Sequence, residues 1–447
     1  MERYHPSEVY ELFVRHMNNP RVVVDSGVCA TATLVQVHSA RKHGVLLEAV
    51  AALSDHGVCV RKGYISSDDG RWFMDVFHVT DAAGRKVADA DALLARLESS
   101  LLSADALSPR PTPTAGAAGA LTLLELVGAD RPGLLSEVFA VLHDLRCGIV
   151  DARAWTHGGR VAALVFVRDD KTGAPIDDVA RIMRIESRLR HVLRGGARGA
   201  RTVLADAAAV NLDRRLHQLL NEDGEDESRA QEAEAPTTTA VAVQDWGERG
   251  YSVVTVSCRD RPKLLFDVVC TLTDLDYVVY HGTFDTDGDH AQQEFYIRRL
   301  DGRPISSAGE RRRVIQCLQA AIERRKSEQG VRLELRITDR RGLLAYVTRV
   351  FRENGLSVTH TEISTRGDMA MNVFHVTDVA GRPADPKTID EVIQRIGTES
   401  LRVDEERWPR LCSTEGDAGR GGAAGLFSLG SLVRKNLFNL GLVRSCS

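Results

Sequence analysis

Four times along the chain, an alternating apolar run gives way to a helical period and then to two more alternating runs. The opening runs read "TATLVQV", "LTLLELV", "SVVTVSC" and "RLELRIT". Their alternation predicts strands with one face turned to a core. Behind the second run, Leu135, Val138, Leu142 and Leu145 fall on one helical face. Behind the third, Leu265, Val268, Leu272 and Leu275 do the same. Two strands follow, as in "IVDARAWTH" then "RVAALVFVR", and "LSVTHTEIST" then "MAMNVFHVT". Gly158-Gly159 and Gly367-Asp368 between them predict hairpins. A second helix closes each copy, around Val179–Leu193 in the second and Gly309–Arg325 in the third.

A candidate last strand follows in copies two ("TVLADAA") and four ("LRVDE"). The order is β-α-β-β-α-β, the ferredoxin-like plan. The fold class is therefore α+β, with four tandem ferredoxin-like modules arranged as two halves of two. The hexapeptides "DRPGLL", "DRPKLL" and "DRRGLL" mark three copies, and "KHGVLLEAV" marks a fourth. Stepping from Leu46, Leu134, Leu264 and Leu343 by one interval reaches His78, Phe166, Tyr296 and His375. The unit is roughly 70–80 residues, longer than most solenoid repeats. Copies one and three lack a last strand but are preceded by "RVVVDS" and "TAVAVQDW". Those runs are expected to fill the vacant sheet edge from the N-terminal side.

The expected organisation is a segment 1–30 with an edge strand, module 1 at 31–107, a linker 108–120, and module 2 at 121–210. A helix and acidic linker follow at 211–238, then module 3 with its preceding strand at 239–330, module 4 at 331–408, and a basic amphipathic tail at 409–447. With 447 residues, three or four domains is the ordinary expectation. Hydrophobic content of 43% and charged content of 27% suit a globular protein. A net charge of −4 gives no footprint for nucleic-acid binding. No apolar run has the length of a membrane span. "MERYHPSEVY" has no secretory h-region, so a cytoplasmic or nuclear protein is expected. Eight scattered cysteines without metal spacing fit reduced thiols, and no metal or cofactor is expected.

The repeated loop has chemistry of its own. Pro132-Gly133 follows Asp130 at a strand-to-helix turn, and Pro132 and Pro262 suit a helix's first turn. A helix start presents free N–H groups and a positive dipole end, which suit a carboxylate. Glycine leaves room for close approach, and aspartate meets an ammonium group. The expected ligand-binding residues are Asp130, Arg131, Gly133 and Leu134, with Asp339, Arg340, Gly342 and Leu343. Copy three has Lys263 in the glycine's place, and copy one has Lys42 in the acid's place. An aspartate before Pro or Gly is equally an ordinary helix cap, and the leucines are core residues, so the residues alone leave both readings open.

Taken together, "KHGVLLEAV", "DRPGLLSEV", "WTH" at Trp155, "DRRLHQLL", "YSVVTVSCRDRPKLLFDVVCTLTDLDYVVYHG" and "NLFNLGLVRSCS" carry a resemblance. The chain resembles the plant ACT domain repeat family over nearly its whole length. It is also similar to the C-terminal sensory part of bacterial PII uridylyltransferases. The resemblance implies amino-acid binding where two modules meet, a regulatory role, and no attached enzyme domain.

Other candidates fall to plainer readings. His78 and His375 read as strand histidines, since nothing supplies further metal ligands. His143-Asp144 lies on a predicted helix with no ligand cluster. Cys258 and Cys270 read as small core residues. The tail "GLFSLGSLVRKNLFNLGLVRSCS" is basic and amphipathic, and is expected to dock on the chain itself or on an unknown protein partner. Three functions follow: an amino-acid sensor, a scaffold whose sheets mediate oligomerisation or partner contact, or an enzyme. The last is disfavoured because the modules and linkers consume the chain.

Overall fold

The computed structural model describes residues 20–40, 44–68, 72–102, 120–194, 199–206, 210–222, 239–325 and 330–403. The linker, the acidic stretch after residue 222, Lys42 and the basic tail lie outside the described residues.

Module 1 holds β1 (Arg21–Asp25), β2 (Thr33–Ala40), α1 (Val45–Asp55), β3 (Cys59–Asp68), β4 (Trp72–Thr80) and α2 (Ala90–Leu102). Module 2 holds β5 (Ala120–Ala129), α3 (Leu134–Asp144), β6 (Cys147–His157), β7 (Arg160–Asp169), α4 (Val179–Leu193) and β8 (Ala200–Asp206). A connecting helix, α5 (Leu212–Glu222), leads on. Module 3 holds β9 (Ala240–Trp246), β10 (Tyr251–Arg259), α6 (Leu264–Asp274), β11 (Tyr277–Asp287), β12 (His290–Arg299) and α7 (Ala308–Arg324). Module 4 holds β13 (Val331–Thr338), α8 (Leu343–Glu353), β14 (Leu356–Arg366), β15 (Met369–Asp378), α9 (Pro386–Ile396) and β16 (Leu401–Val403). The fold is thus mixed α and β, built from ferredoxin-like units.

The strands form two antiparallel eight-stranded sheets. One runs β1-β2-β4-β3-β11-β12-β10-β9 and joins modules 1 and 3. The other runs β16-β13-β15-β14-β6-β7-β5-β8 and joins modules 2 and 4. Each half of the chain therefore contributes one module to each sheet. β1 pairs with β2 from Arg21↔His38 to Asp25↔Leu34, and β9 pairs with β10. Both sit at the edge position that β8 and β16 take in the other sheet. Modules 1 and 3 are thus circular permutations of modules 2 and 4.

At the centre of one sheet β3 meets β11, and at the centre of the other β6 meets β14. Gly63 lies opposite Phe284, and Gly282 opposite Ile65. Small residues facing large ones let the two edges close without a void. A side-chain carbon on Gly63 would stand 2.0 Å from the Phe284 ring. Each of these four central strands also carries a bulge at one equivalent point, skipping Arg61, Val150, Tyr280 and Thr359. Such a bulge kinks the strand and re-aims the residues that follow it.

Each sheet has its helices on one face, so each pair of modules shares one core. The second sheet is covered on its other face as well. There α5 presses Leu216, Leu219 and Leu220 onto Leu123, Trp155, Leu164 and Phe166. Burying such a leucine stabilises by about 1.5–3 kcal/mol. Double coverage explains why β5 and β7 are nearly continuous apolar runs. The far side of α5 meets α6, and α7 approaches β6. The layers therefore alternate helix, sheet, helix, sheet. No helix among the described residues is long and apolar enough to cross a membrane.

Candidate ligand site at the module boundaries

The repeated loop is a turn before it is anything else. Leu134 N–H donates to Arg131 O at 3.1 Å, and Gly133 has φ 79° and ψ 3°. Those are the values for the third residue of a type II turn, which favours proline second and glycine third. In module 4, Leu343 N–H donates to Arg340 O and Gly342 has φ 76°. Pro132 and Pro262 therefore stand before the helix cap and shape the turn, rather than sitting in the helix's first turn as expected. Lys263 adopts the same left-handed conformation, φ 62°, without glycine's freedom.

Module 1 corrects one alignment. Gly44 caps α1 as Gly133 caps α3, so Val45, not Leu46, is the counterpart of Leu134. The spacing from Leu46 to His78 matched the other copies because the β3–β4 hairpin is one residue longer. It closes across Asp68↔Trp72, against His157↔Arg160 in module 2.

The loop's arginine has a structural task. Arg131 donates to both oxygens of Glu137 and to Val192 O, which clips the start of α3 to the end of α4. Arg261 does the same with Asp267 and Ile322 O. Arg340 instead lies over the Tyr346 ring at 5.6 Å, and the Tyr346 hydroxyl donates to Arg395 O. The aspartates are left freer. Asp130 N–H bonds Gly159 O and Asp339 N–H bonds Asp368 O, which tie each loop to its own hairpin tip. Partial burial raises both carboxyls, opposed by the neighbouring backbone N–H.

Two of the clefts in which a loop of one module meets its paired module hold the sequence candidates. Asp130, Arg131, Gly133 and Leu134 face Leu356, Ser357 and Val358 across a space of only about 10 Å³. Asp339, Arg340, Gly342 and Leu343 face Cys147, Gly148 and Ile149 across about 350 Å³. The sequence candidates thus gather in two groups of four, one in each cleft. Leu134 and Leu343 are mainly core, 2% and 3% exposed. The glycines are approached by protein side chains. A carbon added at Gly133 would stand 2.5 Å from Arg352 Cδ, and at Gly342, 2.9 Å from His143 Cε1.

The larger cleft is strongly polar. It adds His143, Arg168, Asp169, Asp170 and Lys171 from module 2. Arg341 Nε reaches Asp170 Oδ2 at 2.8 Å across the module boundary. Arg168 acts on Asp339 through its charge. None of these module 2 residues was among the eight ligand-binding candidates of the sequence. Their signal was weak, because His143 lies on α3 and the others at or just past the end of β7, and they join the loop only once modules 2 and 4 pair. His143, set aside as a metal ligand, packs under the Gly342 turn.

The third loop is turned inward. Lys263 Nζ lies 2.8 Å from Asp213 Oδ2 on α5 and 3.7 Å from Asp55. Asp213 also receives Arg153 from β6 and Arg325 at 3.0 Å. Asp267 receives Arg325, Arg261 and His217 Nε2, the last at 2.9 Å. The Arg325 guanidinium lies over Trp155 at 4.7 Å. Burial would raise both aspartates, but the arginines and Lys263 outweigh it and hold them below the usual carboxylate range. Burial outweighs Asp267 and pulls His217 down. This seam locks module 3 onto the second sheet.

His375 is buried beside His360, with ring centres 5.3 Å apart. Cys258 and Cys270 are fully buried core residues, and burial pushes the Cys270 thiol up. Among the described residues no group of His, Cys, Asp or Glu is placed to hold a metal.

Comparison with known proteins agrees with this arrangement. Residues 28–108 match the ACR family N-terminal ACT domain, and residues 121–192 and 331–393 match the ACT domain. The chain is 53% identical to the ACT domain-containing protein ACR8 of Arabidopsis thaliana, covering 98% of each chain. It is 46% identical to ACT domain-containing protein ACR4 of the same plant, again over 98% of each. A bifunctional uridylyltransferase/uridylyl-removing enzyme of Cereibacter sphaeroides is 26% identical over 43% of this chain and 19% of that one.

Proposed function

The chain belongs to the ACR family of ACT domain-containing proteins, and from that premise we propose that it is a non-enzymatic regulatory protein that binds a free amino acid and reports its level. The binding site in this reading is the Asp339 cleft. Its support is one observation: a cleft of about 350 Å³ at the module 2–4 boundary, lined by the Asp339 carboxylate and by Arg168. Asp339 meets the ligand's ammonium group, and Arg168 with the turn's backbone meets its carboxylate. Binding that prefers one packing of the two modules shifts that packing, which is how a sensor reports. The Asp130 cleft is nearly closed and serves as a second site only if the modules move apart.

A thermal-shift screen of the full chain against the twenty amino acids tests this. Ligand at a hundredfold excess over its dissociation constant stabilises by about 2.7 kcal/mol. One or two amino acids are expected to raise the melting temperature, and Asp339→Asn to abolish the effect. A flat screen sinks the sensor reading.

A scaffold without ligand is the second reading. Lys263 supports it, because that loop docks on Asp213 within the chain.

A further inference from the structure

Both seams between paired modules are built alike. A strand edge of one module meets a strand edge of the other in antiparallel register, and a cation stands directly opposite an anion. In the first sheet β3 meets β11 from Gly282↔Ile65 to Asp285↔Lys62, with Lys62 Nζ 3.5 Å from Asp285 Oδ2. In the second, β6 meets β14 from His360↔Trp155 to Ser364↔Asp151, with Arg153 opposite Glu362 and Arg153 Nε 4.0 Å from Glu362 Oε1. Helices meet beneath each seam, α1 with α6 and α3 with α8. A short run of strand therefore suffices to join one module to another when its charges match.

β1 offers the same features at an unpaired edge. Its sequence is Arg-Val-Val-Val-Asp; it pairs with β2 on one side, and among the described residues no strand pairs on the other. Val22 and Val24 pack on the core, so Arg21, Val23 and Asp25 share the opposite face, where Val23 is 36% exposed. Asp25 is fixed at its end of the strand by accepting Gly27 N–H at 2.6 Å. Laid antiparallel on a second copy about Val23, the strand is its own charge complement. Arg21 of each copy falls opposite Asp25 of the other, and the valines face valines. A two-fold pairing must centre on a residue, because opposed residues point to one face, so the matching charges must stand an even number of places apart. The other edges fail that condition. In β8 an odd spacing separates Arg201 from Asp206; β9 carries only Asp245, already held by Arg311; β16 is a mere Leu401–Val403. Exposed edges are commonly blocked by a proline, a central lysine or a bulge. Valines fill the middle of β1 instead, and its register with β2 is unbroken.

We propose that β1 is a homodimer interface: two copies of the chain pair β1 with β1 about Val23, joining their first sheets into one continuous sheet. The Arg21–Asp25 pairs set the register, and α2, which lies against β1, meets its copy beneath the strands. The contact lies at the outer edge of the sheet, so it stands whether the Asp339 cleft holds a ligand or not. One strand and one helix from each copy make a small interface, and dissociation in the micromolar range is expected.

Sedimentation velocity of the full chain from about 1 to 100 μM tests this. The wild-type chain is expected to pass from the mass of one chain to that of two. Arg21→Asp sets only acids at the seam and Asp25→Arg only bases, so each alone should weaken association about tenfold or more. An equimolar mixture of the two should associate again, because every acid then faces a base. Val23→Lys and Val23→Glu leave the Gly27 turn untouched and should behave alike, single when alone and paired when mixed; they decide the matter if Asp25→Arg fails to fold. A wild-type chain that keeps the mass of one chain throughout overturns the proposal. A dimer that Arg21→Asp and Val23→Lys leave intact overturns it too, since the interface then lies elsewhere. Variants that dissociate but do not recover on mixing overturn the pairing of β1 with β1.

Discussion

Lys263 Nζ and Asp213 Oδ2 stand 2.8 Å apart, one in the turn before α6 and the other in the first turn of α5. Asp213 is 3% exposed at its side chain and gathers three cations. Removing one partner of a buried ion cluster costs far more than the cluster contributes, because the remaining charges are stranded. Asp213→Asn should therefore destabilise the chain by about 3–5 kcal/mol. Lys263→Gly should cost less, about 1 kcal/mol or so, because Arg153 and Arg325 remain and glycine relieves the left-handed backbone. Urea unfolding of both variants checks the order. Equal losses would show that the seam does not hinge on Asp213.

The same aspartates set an acid limit. Asp213 and Asp267 are depressed in the folded state. Their contribution is present above the unfolded carboxylate range and is lost as pH falls through the folded values. Asp75 works the opposite way. Burial lifts it from 3.8 to about 7. Across that window the folded chain holds a proton that the unfolded chain has released, so stability falls as pH rises and levels off above about 7. Asp75→Asn should be more stable than wild type at about pH 8, by roughly a few kcal/mol, and nearly equal below about pH 4. Thermal melts at both pH values decide it; no gain at pH 8 would mean that Asp75 is already compensated.

Gly342→Ala and Gly133→Ala should both destabilise. Each places a side chain at a left-handed backbone position, costing about 1 kcal/mol. Each also drives a carbon into its neighbour, His143 or Arg352. Arg352 is a flexible chain that can swing aside, whereas the His143 ring is stiffer. The alanine at Gly342 should therefore shift the melting temperature more. A larger shift at Gly133 would contradict this ranking.

Gly63→Val tests the central seam of the first sheet. The added side chain overlaps the Phe284 ring. Overpacking of this kind costs about 1–3 kcal/mol or forces a backbone shift. Phe284→Ala in the same chain should recover part of the loss, and a double-mutant cycle measures how much. Additive losses would mean that the two residues do not meet in solution.

The strands, helices and hairpins were legible because each module repeats its own periodicity and turn residues. The edge strands β1 and β9 were legible from vacancies, since copies one and three had no last strand of their own. Two further features left traces that a strand-by-strand reading passes over. The unbroken apolar run of β7 records burial on both faces, and α5 buries Asp213, Arg215 and His217 as well as its leucines. The partners across the module boundaries left no such trace. Asp170 and Arg341 are far apart in sequence, and nothing local in either announces the other. The burial of Asp75 was equally silent, because an acid in an alternating strand reads as a solvent-facing residue until the register is known.

The interleaving of the two halves has a last consequence. Cut between modules 2 and 3, neither half would own a complete sheet; each would carry two half-sheets with bare edges at β3 and β6, or at β11 and β14. A half-length chain would have to find a second copy of itself to close them. The full chain has the form of such a homodimer fused end to end. Its pairing is intramolecular, set by tether length and not by protein concentration, so dilution that would separate two subunits leaves these four modules together.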